Sequence, residues 1–476
     1  MDAARIPFKN LSRIAVTAMG ALFILGCIFY KERALFSDAA FKLFNIISYS
    51  KFDIPGKRYG AVIVQVLPFL AFKLHLSVNT IIFLFGAGYY LFYFSIVALT
   101  VYRYKLYPLA ILMVLYFFLF VSESYIWVGD AFTGTAWMFL FFAVTLYLGN
   151  KKVNILLLIV PFSLLAFLTF SVHFVTIIPM TFLWVYLIIG KKYWPFSKNH
   201  TILLCCLLIF IIGLKFAITD SAYDNIQLHG VTHFSLLDII DSFQTPTVKI
   251  FFYRCIVNYW LGTLVFLISM ITLIRSKERI LAIWTFISAV GYVIIMGLAY
   301  KNLDSTTLLF HIESEWACIG IIVATPFVFT YLPKLKTLRA VWLLSGIFII
   351  RLIYIITFLL AFSLRNTMEE QILNRMRKKG ITKLVLFNDS HLLSVFRLDW
   401  ALPYESIMES AIEGDKQQLT FFIINADDKK ILGKLNDPKS FFDAFYITPC
   451  SVLNKEYFNL DTTKPYQIMT YSELIK

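Results

Sequence analysis

Eleven apolar windows, each about 16–25 residues long, succeed one another along the first three quarters of the chain. They lie at residues 12–30, 78–101, 106–121, 132–149, 153–169, 173–190, 201–218, 250–274, 280–299, 316–332 and 340–362. A run of this length matches the ~30 Å hydrocarbon core of a bilayer when it is helical. Inside lipid each segment has to satisfy its own backbone N–H and C=O groups, which leaves the helix as the solution for separate spans. The composition agrees: 59% of residues are hydrophobic, 15% are charged, and mean hydropathy is +0.75. A soluble domain carries nearer ~25% charge. Whole-chain readings as a soluble enzyme, a disordered protein or a disulfide scaffold are therefore excluded. The expected fold is a polytopic α-helical membrane protein of about eleven spans.

Residues 59–74 are also apolar but short, and they carry Gln65, Pro68 and Lys73. This stretch reads as a helix lying at the membrane interface. Charge placement supports that reading. With the N-terminus inside, the inner segments hold sixteen basic residues and two acids, a net +14 that equals the charge of the whole chain. Counting 59–74 as a span would put most of those cations outside, against the positive-inside rule. The +14 is thus a topology signal and gives no reason to expect a nucleic-acid partner.

Arg5, Lys9 and Arg13 precede a first apolar run that ends at Tyr30-Lys31-Glu32 without a small-residue cleavage site, so the run reads as a retained signal anchor. The six cysteines show no metal-ligand spacing and read as small apolar residues. Composition shifts near Leu364. Residues 1–364 are expected to form the transmembrane module, with a long outer loop at 31–77. Residues 365–476, with fifteen basic and fifteen acidic residues, are expected to form a small α/β domain outside. Helix-like stretches there are 366–379 and 403–413; strand-like ones are Lys383 to Phe387 and Leu419 to Ile424. The expected location is a bacterial inner membrane, with a cytoplasmic N-terminus and an extracytoplasmic C-terminal domain.

The outer loops gather the ionisable groups. The first reads Phe36-Ser37-Asp38-Ala39-Ala40-Phe41, then Phe52-Asp53-Ile54-Pro55-Gly56-Lys57-Arg58-Tyr59-Gly60, then Gln65-Val66-Leu67-Pro68. A second holds Ser122-Glu123-Ser124-Tyr125 and Gly129-Asp130-Ala131-Phe132. Between two spans lies Leu165-Ala166-Phe167-Leu168-Thr169-Phe170-Ser171-Val172-His173, and a late loop reads Leu309-Phe310-His311-Ile312-Glu313-Ser314-Glu315-Trp316. This order resembles the GT-C glycosyltransferases, in the branch of the protein O-mannosyltransferases and aminoarabinose transferases, over roughly residues 12–190 and 300–332. His173 stands where that family often has lysine, and the arginine often found near 311–315 is missing.

The resemblance implies an integral membrane enzyme that takes a sugar from a polyprenyl-phosphate donor and passes it to a glycan, lipid or protein acceptor at the outer face. Asp38 falls on the family's acidic position and is the candidate base. Asp130 and Glu123 are candidates for orienting the acceptor or for joining Asp38 at a divalent metal such as Mg or Mn. Arg58, Arg254, His173 and His311 are candidates for the donor phosphate, with Glu313 and Glu315 as further site residues. A carboxylate base opposite the leaving phosphate implies single displacement with inversion. Rival readings are a transporter or flippase, a polysaccharide polymerase or ligase, and a membrane anchor for the tail. Arg351, in the middle of a span, is expected to find an acid or phosphate partner.

Overall fold

The computed structural model describes residues 8–122, 125–127, 129–218, 225, 229–301, 316–388, 390–396, 398–424, 435–442 and 447–476. The first apolar window is helix α1 (Phe8–Ile28). Two short helices, α2 (Tyr30–Ala34) and α3 (Asp38–Tyr49), follow it. Two 3-10 turns, Pro55–Lys57 and Tyr59–Gln65, lead into α4 (Val66–Lys73). The segment read as interfacial is therefore helical, and too short to cross a bilayer.

The bundle continues with α5 (Val78–Ala98), whose Ser77 cap accepts the Thr80 N–H at 3.3 Å. Next come α6 (Tyr107–Phe120), α7 (Asp130–Asn150), α8 (Ile155–Val172), α9 (Ile177–Gly190) and α10 (Lys198–Ile218). A short α11 (Leu236–Ser242) precedes α12 (Pro246–Val257), α13 (Trp260–Arg275), α14 (Arg279–Ala299), α15 (Ile319–Pro326) and α16 (Thr337–Lys379).

Every one of the eleven windows falls on helix, but not every window is a straight span. Among the described residues, eight helices are long and apolar enough to cross a membrane, or nine if one bent pair counts as a single span. The chain thus has the character of a helical membrane protein, with eight or nine helices of spanning length among the described residues where eleven spans were expected. Three windows account for the difference. Helix α6 has 14 residues, about 21 Å of rise, which is short for a bilayer. Its residues Leu109 to Phe120 are all buried, so protein and not lipid surrounds it: α1, α15 and α16. The window 173–190 is a 3-10 turn, Phe174–Thr176, joined to α9. The window 250–274 breaks between α12 and α13, which meet at 86°. Hydropathy reports composition and is blind to such a bend.

Arg351 of α16 lies across that break. It donates to the carbonyls of Asn258 at 2.7 Å, Phe118 at 2.6 Å and Val121 at 2.8 Å, and to Ser122 Oγ at 2.6 Å. Among the described residues, carbonyl oxygens freed at the ends of α6 and α12, with the Ser122 hydroxyl, face this charge.

The last span does not stop where the composition changes. Helix α16 passes through residue 364 without interruption and ends only at Gly380, which takes the left-handed conformation that caps helices (φ +66°). Beyond it lie β1 (Lys383–Phe387), α17 (Ser390–Val395), α18 (Leu402–Ile412), β2 (Thr420–Ile424), β3 (Ser440–Phe442), β4 (Ile447–Pro449), β5 (Gln467–Met469) and α19 (Tyr471–Ile475). Strands β2, β1 and β5 form a parallel sheet in that order, with Lys383 opposite Thr420 and Leu384 opposite Gln467; β3 and β4 pair antiparallel. Ile372, Leu373 and Met376 of α16 pack with Leu384, Leu386 and Phe421 in the tail's core. The tail rests on α3: the Phe44 ring sits 4.9 Å from Tyr404, 5.1 Å from Phe441 and 5.5 Å from Phe458.

At the opposite end of the bundle, the turns after α5, α7, α9 and α13 each hold a lysine in the left-handed region: Lys105, Lys152, Lys191 and Lys277, with φ of 52–61°. Glycine is the usual residue there. A cation beside a helix C-terminus gains from the helix dipole, and on that face it also carries the positive charge noted above.

Candidate functional site

Three segments meet at the end of the bundle that carries the tail. Helix α3 contributes Asp38 in its first turn and Lys42 one turn on. The 53–58 segment contributes Asp53 and Arg58, and α7 contributes Asp130 at its N-terminus, where a carboxylate favours the helix dipole. Asp130 is held between two cations: Lys42 Nζ donates to Oδ1 at 2.5 Å, and Arg58 Nη1 donates to Oδ2 at 2.8 Å. These side chains are largely buried, at 5% exposure for Lys42, 13% for Arg58 and 10% for Asp130.

Burial works against the Lys42 ammonium. The carboxylates of Asp130, Asp38 and Asp53 outweigh it and raise the Lys42 pKa above the ordinary lysine value. Burial raises the Asp53 carboxyl above the usual carboxylate range, with Lys42 opposing the shift. Asp53 is fixed through its backbone: its N–H donates to Gln65 Oε1 at 2.9 Å, and its C=O accepts from Gln65 Nε2 at 2.7 Å. The polar residue that marked 59–74 as unsuited to lipid is thus fully buried and shapes the loop.

The loop bearing Arg58 is held by a close backbone approach. Gly60 N–H donates to Ser171 Oγ at 3.2 Å, and Gly60 O accepts from Trp137 Nε1 at 2.9 Å. A Cβ at Gly60 would fall 2.4 Å from Leu168 O, so only glycine fits there.

Asp38 is half-buried and follows a strained residue. Ser37 has φ 49° and ψ −127°, a region that non-glycine residues rarely enter and that costs about 1–3 kcal/mol. Its amide is clamped by the tail, donating to Glu405 Oε1 at 2.9 Å. Glu405 is fully buried and also accepts from Arg365 Nη2 of α16 at 2.5 Å. Burial raises its pKa, with Arg365 opposing.

The other expected residues are placed as follows. His173 is buried at the end of α8, with its Nδ1 accepting the Val175 N–H at 3.3 Å, so it shapes the turn into α9. Arg254 is buried on α12 and donates to Tyr259 Oη at 3.3 Å across the α12–α13 bend. Glu123, His311, Glu313 and Glu315 lie outside the described residues.

The site residue that sequence reasoning missed is Lys42, although its signal was present: Asp38 and Lys42 stand at i,i+4, the spacing of a helical ion pair. Glu405 and Arg365 were also missed, because nothing local links residues 37, 365 and 405.

The arrangement bears on a metal. Both Asp130 oxygens already face cations, and a divalent ion beside them would meet Lys42 and Arg58 at repulsive range. A metal shared by Asp38 and Asp130 would have to displace those two cations from the Asp130 carboxylate. Among the described residues, the carboxylates with ligand-like spacing are Glu370, Glu409 and Glu413, whose oxygens lie within 4.8 Å of one another. Lys31 pairs with Glu409 there at 2.8 Å. Compared with protein-family models, with curated proteins and with solved structures, the chain matches none of them.

Proposed function

We propose that this protein is an integral membrane glycosyltransferase that moves a sugar from a polyprenyl-phosphate donor to an acceptor hydroxyl. The reaction is placed at the outer face, in a bacterial inner membrane, with the N-terminus cytoplasmic and the tail outside. The observation that carries the reading is the convergence of Asp38 with Lys42, Asp53, Arg58 and Asp130 from three segments at one end of the helix bundle. Asp38 is the base. Its carboxylate takes the acceptor proton as the acceptor oxygen bonds to the anomeric carbon, and the bond from that carbon to the phosphate oxygen breaks with its electron pair. Attack opposite the leaving group inverts the anomeric centre. Arg58 and Lys42 supply positive charge for the departing phosphate, and Asp130 holds both in place until a substrate competes for them.

The test is transfer from a polyprenyl-phosphate sugar by protein in proteoliposomes. Asp38→Asn is expected to lower the rate about 10²–10⁴-fold while leaving the melting temperature unchanged. A folded Asp38→Asn protein with full activity overturns the assignment of the base.

One observation favours a second reading. The 86° break between α12 and α13 is the kind of discontinuous helix that transporters place at a substrate site. Movement of a fluorescent lipid-linked sugar across vesicles without any transfer product would select a flippase.

A further inference from the structure

At the end of the bundle away from Asp38 and the tail, a cavity of about 640 Å³ opens between the end of α9, the α13–α14 turn and the segment leading into α16. Its volume is that of a small-molecule site. Four cations from three elements line it: Lys192, Lys277, Arg279 and Lys334, against one acid, Glu278. Lys334 Nζ donates to Ser276 Oγ, which ties the third element to the α13–α14 turn. The wall is amphipathic, with Tyr186 Oη and Thr330 Oγ1 3.0 Å apart and the Tyr193 and Phe329 rings 5.0 Å apart.

We propose that this cavity binds the phosphate of an anionic membrane lipid from the adjoining leaflet. The site is separate from the Asp38 cluster and does not depend on the function proposed for it. Three features carry the inference. Cations scattered to satisfy the positive-inside rule need not face one another, whereas these four line a common cavity. A second cavity of about 150 Å³ shares Lys192, Tyr193 and Phe329 with the first and adds Leu106, Leu109 and Leu146, an apolar neighbour for a chain or glycerol backbone. Finally, Ile280 on the rim is 68% exposed and Ile283, nearly one turn on, is 59% exposed, so the mouth borders a lipid-facing helix surface. A phosphate at the cations with acyl chains along α14 satisfies both halves of the site. Free phosphate shares the headgroup chemistry but leaves the apolar half unused.

The test uses the full chain in nanodiscs of phosphatidylcholine, with or without phosphatidylglycerol, and in detergent with inorganic phosphate. Phosphatidylglycerol is expected to raise the melting temperature by about 5 °C, and millimolar phosphate to leave it unchanged. Replacing Lys192, Lys277 and Arg279 with Gln together should remove most of the shift. Replacing Lys105, Lys151 and Lys152 with Gln removes equal charge from the same face and should preserve it. Equal shifts in all three proteins, or equal losses in both variants, would mean a diffuse surface field and overturn the proposal. An equal shift from inorganic phosphate would overturn the lipid as its source. Native mass spectrometry of the unmodified chain gives a check independent of variant folding: phosphatidylglycerol should outlast phosphatidylcholine on activation, and equal release contradicts the site.

Discussion

Lys42 shows how one side chain sets the electrostatics of the site at the tail end of the bundle. Its ammonium is buried beside Asp130 and within range of Asp38 and Asp53, and these carboxylates raise its pKa despite the cost of burial. A lysine whose folded pKa exceeds its unfolded value of about 10.4 adds stability that is complete below that pH and is lost as pH rises through the folded value. The Lys42–Asp130 pair is thus expected to hold throughout the neutral range and to fail only in alkali. A melting-temperature profile from pH 8 to 11.5 should fall above about pH 10.4 in the unmodified protein and fall less in Lys42→Met. The variant itself should lose about 2–3 kcal/mol, short of the full cost of an orphaned buried charge because Arg58 stays on Asp130. Identical profiles for the two proteins would show that Lys42 does not carry this linkage. A second buried cation, Arg33, meets neutral groups instead: it donates to Gly86 O at 3.2 Å and lies 4.2 Å from the Tyr90 ring.

At the scale of elements, the 53–65 segment matters most, since it carries Arg58 to Asp130 and is pinned at Gly60. An added methyl has no room: Leu168 O and Val172 Cγ2 both lie 2.4 Å from an ideal Cβ. Gly60→Ala is expected to cost about 1–3 kcal/mol by overpacking. If the proposed chemistry holds, it should also reduce transfer by more than the loss of folded protein explains, because the shift moves Arg58. Normal stability would contradict the close approach; reduced stability with proportionate activity would leave Arg58 without a role in the reaction.

Much of this level was legible in the residues. The apolar windows locate the helices, and the strand-like stretch Lys383 to Phe387 is strand β1. The helix-like stretch 403–413 is α18, with Pro403 in its first turn. What could not be read has a common cause, a partner distant in sequence. The α12–α13 break is stabilised by Arg351, 93 residues from Asn258. The run of α16 past Leu364 differs, because the helix-like spacing of 366–379 was legible, and Met368, Ile372, Leu373 and Met376 are buried. The change in composition marks a change of solvent, not the end of a helix. Glu405 acquires meaning only through a partner 368 residues away, and Lys42, beyond its i,i+4 spacing to Asp38, through one 88 residues away.

The whole molecule joins its two parts through the strained residue that precedes the candidate base. Glu405 accepts from both Ser37 N–H and Arg365, and Arg365 also faces Glu369 at 3.6 Å, so one buried cation ties the end of the bundle, the tail and the first loop together. Asn454 Nδ2 adds a bond to Ile47 O at 3.3 Å, and the rings around Phe44 seal the contact. A tail fixed this firmly acts as a brace for the loop, not as a module on a flexible linker. Glu405→Gln tests this, because the amide oxygen still accepts from Ser37 while Arg365 loses its nearest charge. The expected loss is about 3 kcal/mol, together with faster proteolysis within residues 31–58 in the folded protein. Cleavage confined to the tail at an unchanged loop rate would mean that the tail stands beside the first loop without bracing it. Loss of protection in both, with Ser37 released, would place the strain at Ser37 under the control of a residue from the other end of the chain.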